Sequence, residues 1–179
     1  MAEIETLSTR VVYKNKWMTV REDRIRRLSG AEGIYGVVDK PDFVVILPVQ
    51  DGLIHLVEQY RYPVAKRYWE VPQGSWESSP DADPALVAAG ELREETGLLA
   101  NRMDHVGYLY QAYGFSNQGF HIYLATDFES TVQELDEEEE GLLTRSVSIT
   151  EFESMIVSGV ITDGTTVSAY NLARLKGYL

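Results

Sequence analysis

Three glutamates, Glu91, Glu94 and Glu95, crowd into one short segment, and this crowding restricts the possible folds more than any other feature of the sequence. If the segment is helical, spacings of three and four residues bring all three carboxylates to one face. The helix reading follows from the ends of the segment. Asp83 is a residue type that caps helix N-termini, Pro84 suits the first helical position, and Gly97 is a natural C-terminal stop. Ala85, Leu86, Ala89, Leu92 and Thr96 fall opposite the acids, so that side is expected to face the core. Like charges on neighbouring turns repel by about 0.2–0.5 kcal/mol per pair. Acids in the C-terminal half of a helix also oppose its macrodipole. A divalent cation would offset both costs, because hard cations take carboxylate oxygens. The alternative is a solvated acidic face.

The chain has 179 residues, enough for one domain with its own core and a small appendage. Cysteine is absent, which excludes a disulfide framework and thiolate chemistry. A formal net charge of −12 argues against a nucleic-acid backbone or an anionic membrane as partner. It leaves room for a phosphorylated small molecule, since a bound cation inverts the local field. The N-terminus, MAEIETLSTRVV, lacks the basic start and apolar run of a signal peptide. No apolar run reaches the roughly 18 residues of a membrane span. A cytoplasmic protein is the expectation.

Along the chain, residues 1–40 read as short β segments: TRVVYKN, WMTVREDRIRRL with its four arginines, and GIYGVVDK. They are too thin to bury much alone and are expected to lean on the main domain or on a second copy. Pro41-Asp42 marks a boundary. DFVVILPVQDGLIHLVEQYRYPV then reads as a hairpin around Asp51-Gly52, and its continuous FVVIL run predicts a strand covered on both faces. RYWEVPQG is a further strand leading to the acidic helix. Two strands follow within MDHVGYLYQAYGFSNQGFHIYLATDF, and RSVSI is a short one. Thr150 with Glu153 has the spacing of a capping box for a helix ending at Gly159, and Asp163-Gly164 turns into a final helix. Strands, a helix, strands and then helices predict an α/β (α+β) sandwich with helices flanking a mixed sheet, preceded by an N-terminal antiparallel β extension.

The stretch from Gly74 to Leu98 resembles the Nudix box, G-x5-E-x7-R-E-U-x-E-E-x-G-U, where U is a bulky aliphatic residue. Gly74 matches its leading glycine, and Glu91, Leu92, Glu94, Glu95, Gly97 and Leu98 match its core. The departures are a loop two residues longer, Gly90 in place of the arginine, and no unambiguous loop glutamate. Glu77, Asp81 and Asp83 lie nearby, while strict counting gives Pro80 or Ala82. Beyond the box, NKW, VEQYRYPV, YWEVPQG, YGFSNQGFHIYLAT, LDEEEEG and SGVITDGTT follow the layout of the ADP-ribose pyrophosphatase-like Nudix enzymes. The resemblance implies an α/β/α Nudix sandwich over residues 41–179, with residues 1–40 serving dimerisation.

It also implies a reaction, the hydrolysis of a nucleoside diphosphate linked to another group, best assigned as ADP-ribose or a nucleotide sugar, with Mg2+ or Mn2+. Glu91 and Glu95 take the place of the core metal ligands. Glu94 matches a ligand that also orients the attacking water, and Gln73 offers a backbone carbonyl to the metal. A distant loop glutamate acting as base or metal ligand falls at Glu140, with Glu137, Glu138 and Glu139 as neighbours in an open register. Arg61 matches a phosphate or ribose contact, a task suited to its planar fork of donors. Glu70 matches a group near the metal and substrate; a buried ion pair with Arg61 is its alternative. Trp17 resembles an aromatic that stacks on the base, with a core position as its alternative. His55, His105 and His121 read as structural. Tyr113 stands where these pyrophosphatases commonly have Pro, and Gln73 replaces a small residue. Both changes keep a dinucleoside polyphosphate open as substrate. A catalytically weak, nucleotide-sensing domain is the reading from a different functional class.

Overall fold

The apolar run Phe43–Leu47 lies at the centre of the molecule. Val45 and Leu47 point into one buried cluster, and Val44 and Ile46 into another, so both faces of this strand are covered. The computed structural model describes residues 3–76, 79 and 81–179, with Glu138 described by its backbone alone. Glu77 and Pro80, two of the positions considered for the box's loop glutamate, lie outside the described residues. The elements in chain order are β1 (Ile4–Lys14), β2 (Thr19–Arg27), β3 (Glu32–Asp39), β4 (Phe43–Gln50), β5 (Leu53–Arg61), β6 (Lys66–Glu70), β7 (Gln73–Gly74), α1 (Pro84–Thr96), β8 (Leu98–Tyr110), β9 (Gly119–Ser130), β10 (Leu143–Ser148), α2 (Ile149–Val157) and α3 (Gly164–Leu175). Short 3-10 turns occupy Tyr62–Val64 and Glu137–Glu139.

β1, β2 and β3 form an antiparallel sheet of their own. The larger sheet runs β10-β5-β4-β9-β8, and β4 pairs with β9 in parallel, so the sheet is mixed. Asp51 and Gly52 both have positive φ, the geometry of a tight hairpin turn between twisted strands. Beyond that turn β4 and β5 stay paired only at Val49–Gln50 and Leu53–Ile54. The chain from Lys66 to Gly74 fills the gap between them, with β6 on β5 and β7 on β4. This wedge carries Glu70 and Gln73 into the middle of the molecule.

One sheet face packs on α2 and α3 through Phe152, Met155, Ala169, Tyr170 and Ala173. The other packs on α1 through Val87, Ala88 and Leu92. The architecture is therefore the α/β/α sandwich with an N-terminal antiparallel extension. That extension leans on the main sheet through the loop at 112–118. Val38 N–H donates to Phe115 O at 2.8 Å, Ser116 Oγ to Val38 O at 2.9 Å, and the Tyr35 hydroxyl to Gly114 O at 3.1 Å.

Three details differ from the sequence expectation. β8 begins at Leu98, directly after the Gly97 stop, because Gly97 in the left-handed region turns the chain straight back onto β9. α2 is capped by Ser148, whose side chain accepts from Glu151 N–H at 3.1 Å, and not by Thr150. The buried side of α1 is Val87, Ala88, Glu91, Leu92 and Glu95, whereas Leu86 is 63% exposed. The helix is rotated so that its first two turns cover the sheet while two acids of its last turns also point inward. No described helix is long and apolar enough to cross a membrane.

Ile46 is fully buried between the central strand and α1. Ile46→Ala is expected to cost about 2–5 kcal/mol, the range for truncating a buried aliphatic side chain. Urea denaturation measures it, and a loss below about 1 kcal/mol would contradict the doubly covered strand.

Candidate metal and substrate site

α1 is held at both ends by the residues that announced it. The Asp83 side chain accepts from Ala85 N–H at 2.9 Å, and Gly97 N–H donates to Arg93 O at 2.8 Å. The carbonyls exposed at its C-terminus are satisfied by the polar segment that follows β9. Thr131 N–H reaches Gly97 O at 2.6 Å, Gln133 Nε2 reaches Glu95 O at 2.5 Å, and Glu134 N–H reaches Glu94 O at 3.1 Å. Arg93 adds an ion pair to Glu134 at 2.6 Å. Thus zipped to the helix, the chain delivers the Glu137–Glu139 turn next to the acids. Arg67 fastens the far side of that turn, donating to Gly141 O at 2.7 Å and to Glu58 Oε2 at 3.0 Å.

Among the described residues, the carboxylates whose oxygens converge within 4.8 Å of one another are Glu91, Glu95 and Glu139. Glu91 and Glu95 are two of the three helix residues read as ligands from the sequence, with Glu94. The third converging carboxylate is Glu139 and not Glu140, which lies exposed at the end of the turn. The reason is local: Asp136 caps the turn, its N–H binding Glu139 Oε2 at 3.0 Å, and this aims Glu139 inward. The Asp-x-x-Glu spacing of Asp136 and Glu139 was the signal that distinguishes these neighbours. Glu94 is half-buried beside the trio and does not join it. Gln73 does adjoin the trio, its N–H donating to Glu95 Oε2 at 3.1 Å. Gly74 is required by the same crowding, since a Cβ there would lie 2.3 Å from Glu91 Oε2.

The electrostatics fit a cation. Burial, and then Glu91, Glu139 and Glu70, push Glu95 well above the usual carboxylate range. Burial likewise raises Glu139, with Asp136 and Glu94 adding repulsion, and raises Glu94, with Asp136 and Glu134 adding to it. An all-oxygen, all-carboxylate donor set of this kind suits a hard divalent ion.

The trio opens into a cleft of about 1070 Å³. Arg61 and Glu70 both line it as an ion pair, with Arg61 Nε 3.3 Å from Glu70 Oε2 and a second, closer contact from Arg61 Nη2. Gln59 Nε2 also donates to Glu70 at 3.0 Å. Burial raises the Glu70 carboxyl while Arg61 opposes the rise. Lys16 and Lys40 reach the cleft from the side of the N-terminal sheet, and Tyr60 and Tyr62 stand exposed in its wall. Trp17 is not among the lining residues; it sits at the turn after β1, 37% exposed, with Lys16 Nζ 4.3 Å over its ring. Tyr113 is likewise outside the lining.

Asp163 was read only as a turn residue. It caps α3, accepting from Thr166 N–H at 2.8 Å, and lines the cleft 3.4 Å from Gln73 Nε2. The substitution of the box arginine by Gly90 also has a local cause. Trp76 of the lengthened loop packs on the helix there, and a Cβ at Gly90 would lie 2.4 Å from its Cζ2.

A folded-state pKa above the unfolded one means that the native state binds the extra proton. The resulting stability is present below the unfolded carboxylate value of about 4.3 and is lost as pH rises through the raised one. The metal-free protein is therefore expected to melt at progressively lower temperature as pH rises above that value, and a divalent cation to reverse the trend. Thermal melts in chelator and in Mg2+ test this. Glu95→Gln should flatten the chelator curve, and a wild-type melting temperature independent of pH would contradict the buried acidic cluster.

Comparison with known proteins agrees with this geometry. Residues 40–163 match the NUDIX domain model, and residues 4–38 match the nucleoside diphosphate sugar hydrolase N-terminal domain. The chain is 35% identical over 125 residues to an ADP-ribose pyrophosphatase of Mycobacterium tuberculosis, covering 69% of this chain and 60% of that protein. It is 27% identical over 177 residues to an ADP-ribose pyrophosphatase of Bacillus subtilis, covering 97% of this chain and 94% of that protein. In fold it superposes on the crystal structure of an ADP compounds hydrolase with a TM-score of 0.87 at 21% identity, covering 99% of this chain and 97% of that one. The NUDIX match spans well over half of the sequence and includes all three converging carboxylates, so the chain belongs to the Nudix family.

Proposed function

We propose that this chain hydrolyses the pyrophosphate bond of a nucleoside diphosphate linked to a sugar, with ADP-ribose as its substrate and Mg2+ or Mn2+ as its cofactor. The observation that carries the reading is the convergence of Glu91, Glu95 and Glu139 within 4.8 Å on the wall of a cleft that also contains Arg61, Lys16 and Lys40. The curated ADP-ribose pyrophosphatases above support the choice of substrate.

Glu91, Glu95 and Glu139 would hold the ion, with the Gln73 backbone carbonyl beside them. The bound ion supplies charge neutralisation for the diphosphate and acidifies a water molecule. Arg61 presents a planar fork of donors, oriented by Glu70, to phosphate oxygens. Glu70 therefore serves as the partner of Arg61. Glu139, beside the ion it helps to hold, would accept the proton of the attacking water, the role assigned from sequence to Glu140. Glu94, at the rim of the trio, orients that water. The water oxygen bonds to one phosphorus and the bridging P–O bond breaks, releasing a nucleoside monophosphate and a sugar phosphate.

Residues 1–40 serve as the dimerisation element of residues 41–179 in a cytoplasmic homodimer. Exposed Ile4, Val11, Val12, Tyr13 and Ile34 on the three-stranded sheet support that part of the proposal. In such a dimer Trp17 is free to reach a base bound to the partner.

A metal-dependent hydrolysis screen over ADP-ribose, other nucleotide sugars, dinucleoside polyphosphates and NADH tests the reading. ADP-ribose is expected to turn over, with activity lost in chelator. Glu91→Gln, Glu95→Gln and Glu139→Gln are each expected to lower kcat more than about 100-fold, while Glu140→Gln changes it little. Tight binding of a nucleotide without turnover would make the protein a sensor and sink the enzyme reading. Equal losses in Glu139→Gln and Glu140→Gln would remove the assignment of the loop base.

A further inference from the structure

The histidines take no part in the carboxylate site, yet two of them meet on the large sheet. β8 and β9 pair antiparallel, and their register slips between His105 and Gly107. The slip is a bulge at Val106, whose side chain enters the core on the side of α2 and α3. Strict alternation would place His105 and Tyr108 on opposite faces. With the bulge, His105, Tyr108, His121 and Tyr123 share one face. The His105 and Tyr123 rings lie 5.2 Å apart, those of His121 and Tyr108 4.9 Å, and the two imidazoles 5.6 Å. His121 Nδ1 stands 3.5 Å from His105 Nε2. The other nitrogen of His121, Nε2, faces Asp42 Oδ2 at 4.0 Å. Asp42 is itself anchored: its Oδ1 accepts from Gly119 N–H at 2.8 Å, and it is hydrogen-bonded to the Tyr108 hydroxyl.

We propose that His105 and His121 form a zinc site, separate in place and in donor chemistry from the carboxylate trio. Each imidazole turns one nitrogen toward the other. Two nitrogens bound at about 2.0–2.1 Å to one tetrahedral ion lie about 3.3–3.4 Å apart. The observed separation of 3.5 Å is close to that, whereas it is long for a hydrogen bond between the rings. Asp42 stands where a metal-bound histidine finds the carboxylate that fixes its tautomer by accepting the outer N–H. Its side chain is 41% exposed, which leaves it room to close the remaining gap to His121. A pair of imidazoles selects borderline ions such as Zn2+, whereas the glutamate trio selects hard ones. His105 is exposed, so the remaining positions of the ion are open to water. An ion held there clips β8 to β9 across the bulge.

The test is calorimetric titration of the metal-free protein with Zn2+ in saturating Mg2+, paired with thermal melts. Wild type and Glu95→Gln are expected to bind one equivalent of Zn2+ and to melt at higher temperature with it. His105→Ala and His121→Ala are expected to bind at least ten-fold more weakly and to lose the thermal shift. His105 is exposed, so its variant decides the matter if His121→Ala does not fold. Unchanged Zn2+ binding in His105→Ala overturns the proposal. So does wild type that takes up no Zn2+ in the micromolar range. Binding lost in Glu95→Gln but kept in His105→Ala would put the zinc on the carboxylates and also overturn it.

Discussion

Everything near the cleft is arranged around the mutual repulsion of three carboxylates. With oxygens within 4.8 Å, each ionised pair costs roughly 3 kcal/mol or more at an effective dielectric near 20. That exceeds what a single helix cap contributes, about 1 kcal/mol. The cluster therefore cannot be held by α1 alone. It is held by buried contacts of Val87, Ala88 and Leu92 on the sheet, by the Gln73 N–H on Glu95, and by the Asp136 N–H on Glu139. Arg67 and Gln133 tie the two ends of the acidic segment to β5 and to the helix. Apart from the local Asp136–Glu139 bond, these contacts join different elements of the chain, and together they prevent the carboxylates from relaxing away from one another.

The wedge of β6 and β7 between β4 and β5 is the other half of the arrangement. It places Glu70 at the cleft, where Arg61 offsets its burial, and it brings Gly74 against Glu91. Gly90 makes room for Trp76 of the longer loop, so the missing arginine is replaced by a packing contact on the helix. The N-terminal sheet adds Lys16 and Lys40 to the cleft, which gives a strongly acidic chain a local set of cations where an anionic substrate would lie.

Much of this was legible in the residues. The FVVIL run predicted a strand buried on both faces, and it is one, because continuous apolar residues leave no side for water. Asp51-Gly52, Asp83-Pro84 and Gly97 predicted a turn and two helix ends through local backbone chemistry, and local chemistry survives folding. The burial of α1 was misread. Its apolar residues do not form one clean stripe, and two of its acids are inward for a reason that lies elsewhere in the chain. Glu140 is placed with the register among Glu137–Glu140 left open, and a shift of one residue in a run of like residues leaves no trace in composition.

By itself, the sequence determined the three-layer fold, the box, and the crowding of Glu91, Glu94 and Glu95 on one helix. These depend on periodicity, on caps and on residue chemistry, all of which act over a few positions. Only the tertiary structure decided that Glu139 completes the trio, that Arg61 and Glu70 pair beside it, and that the bulge at Val106 brings His105 to His121. Those outcomes depend on strand register and on where a distant loop is tied down. Both are set by packing across the whole molecule, so no short window of sequence contains them.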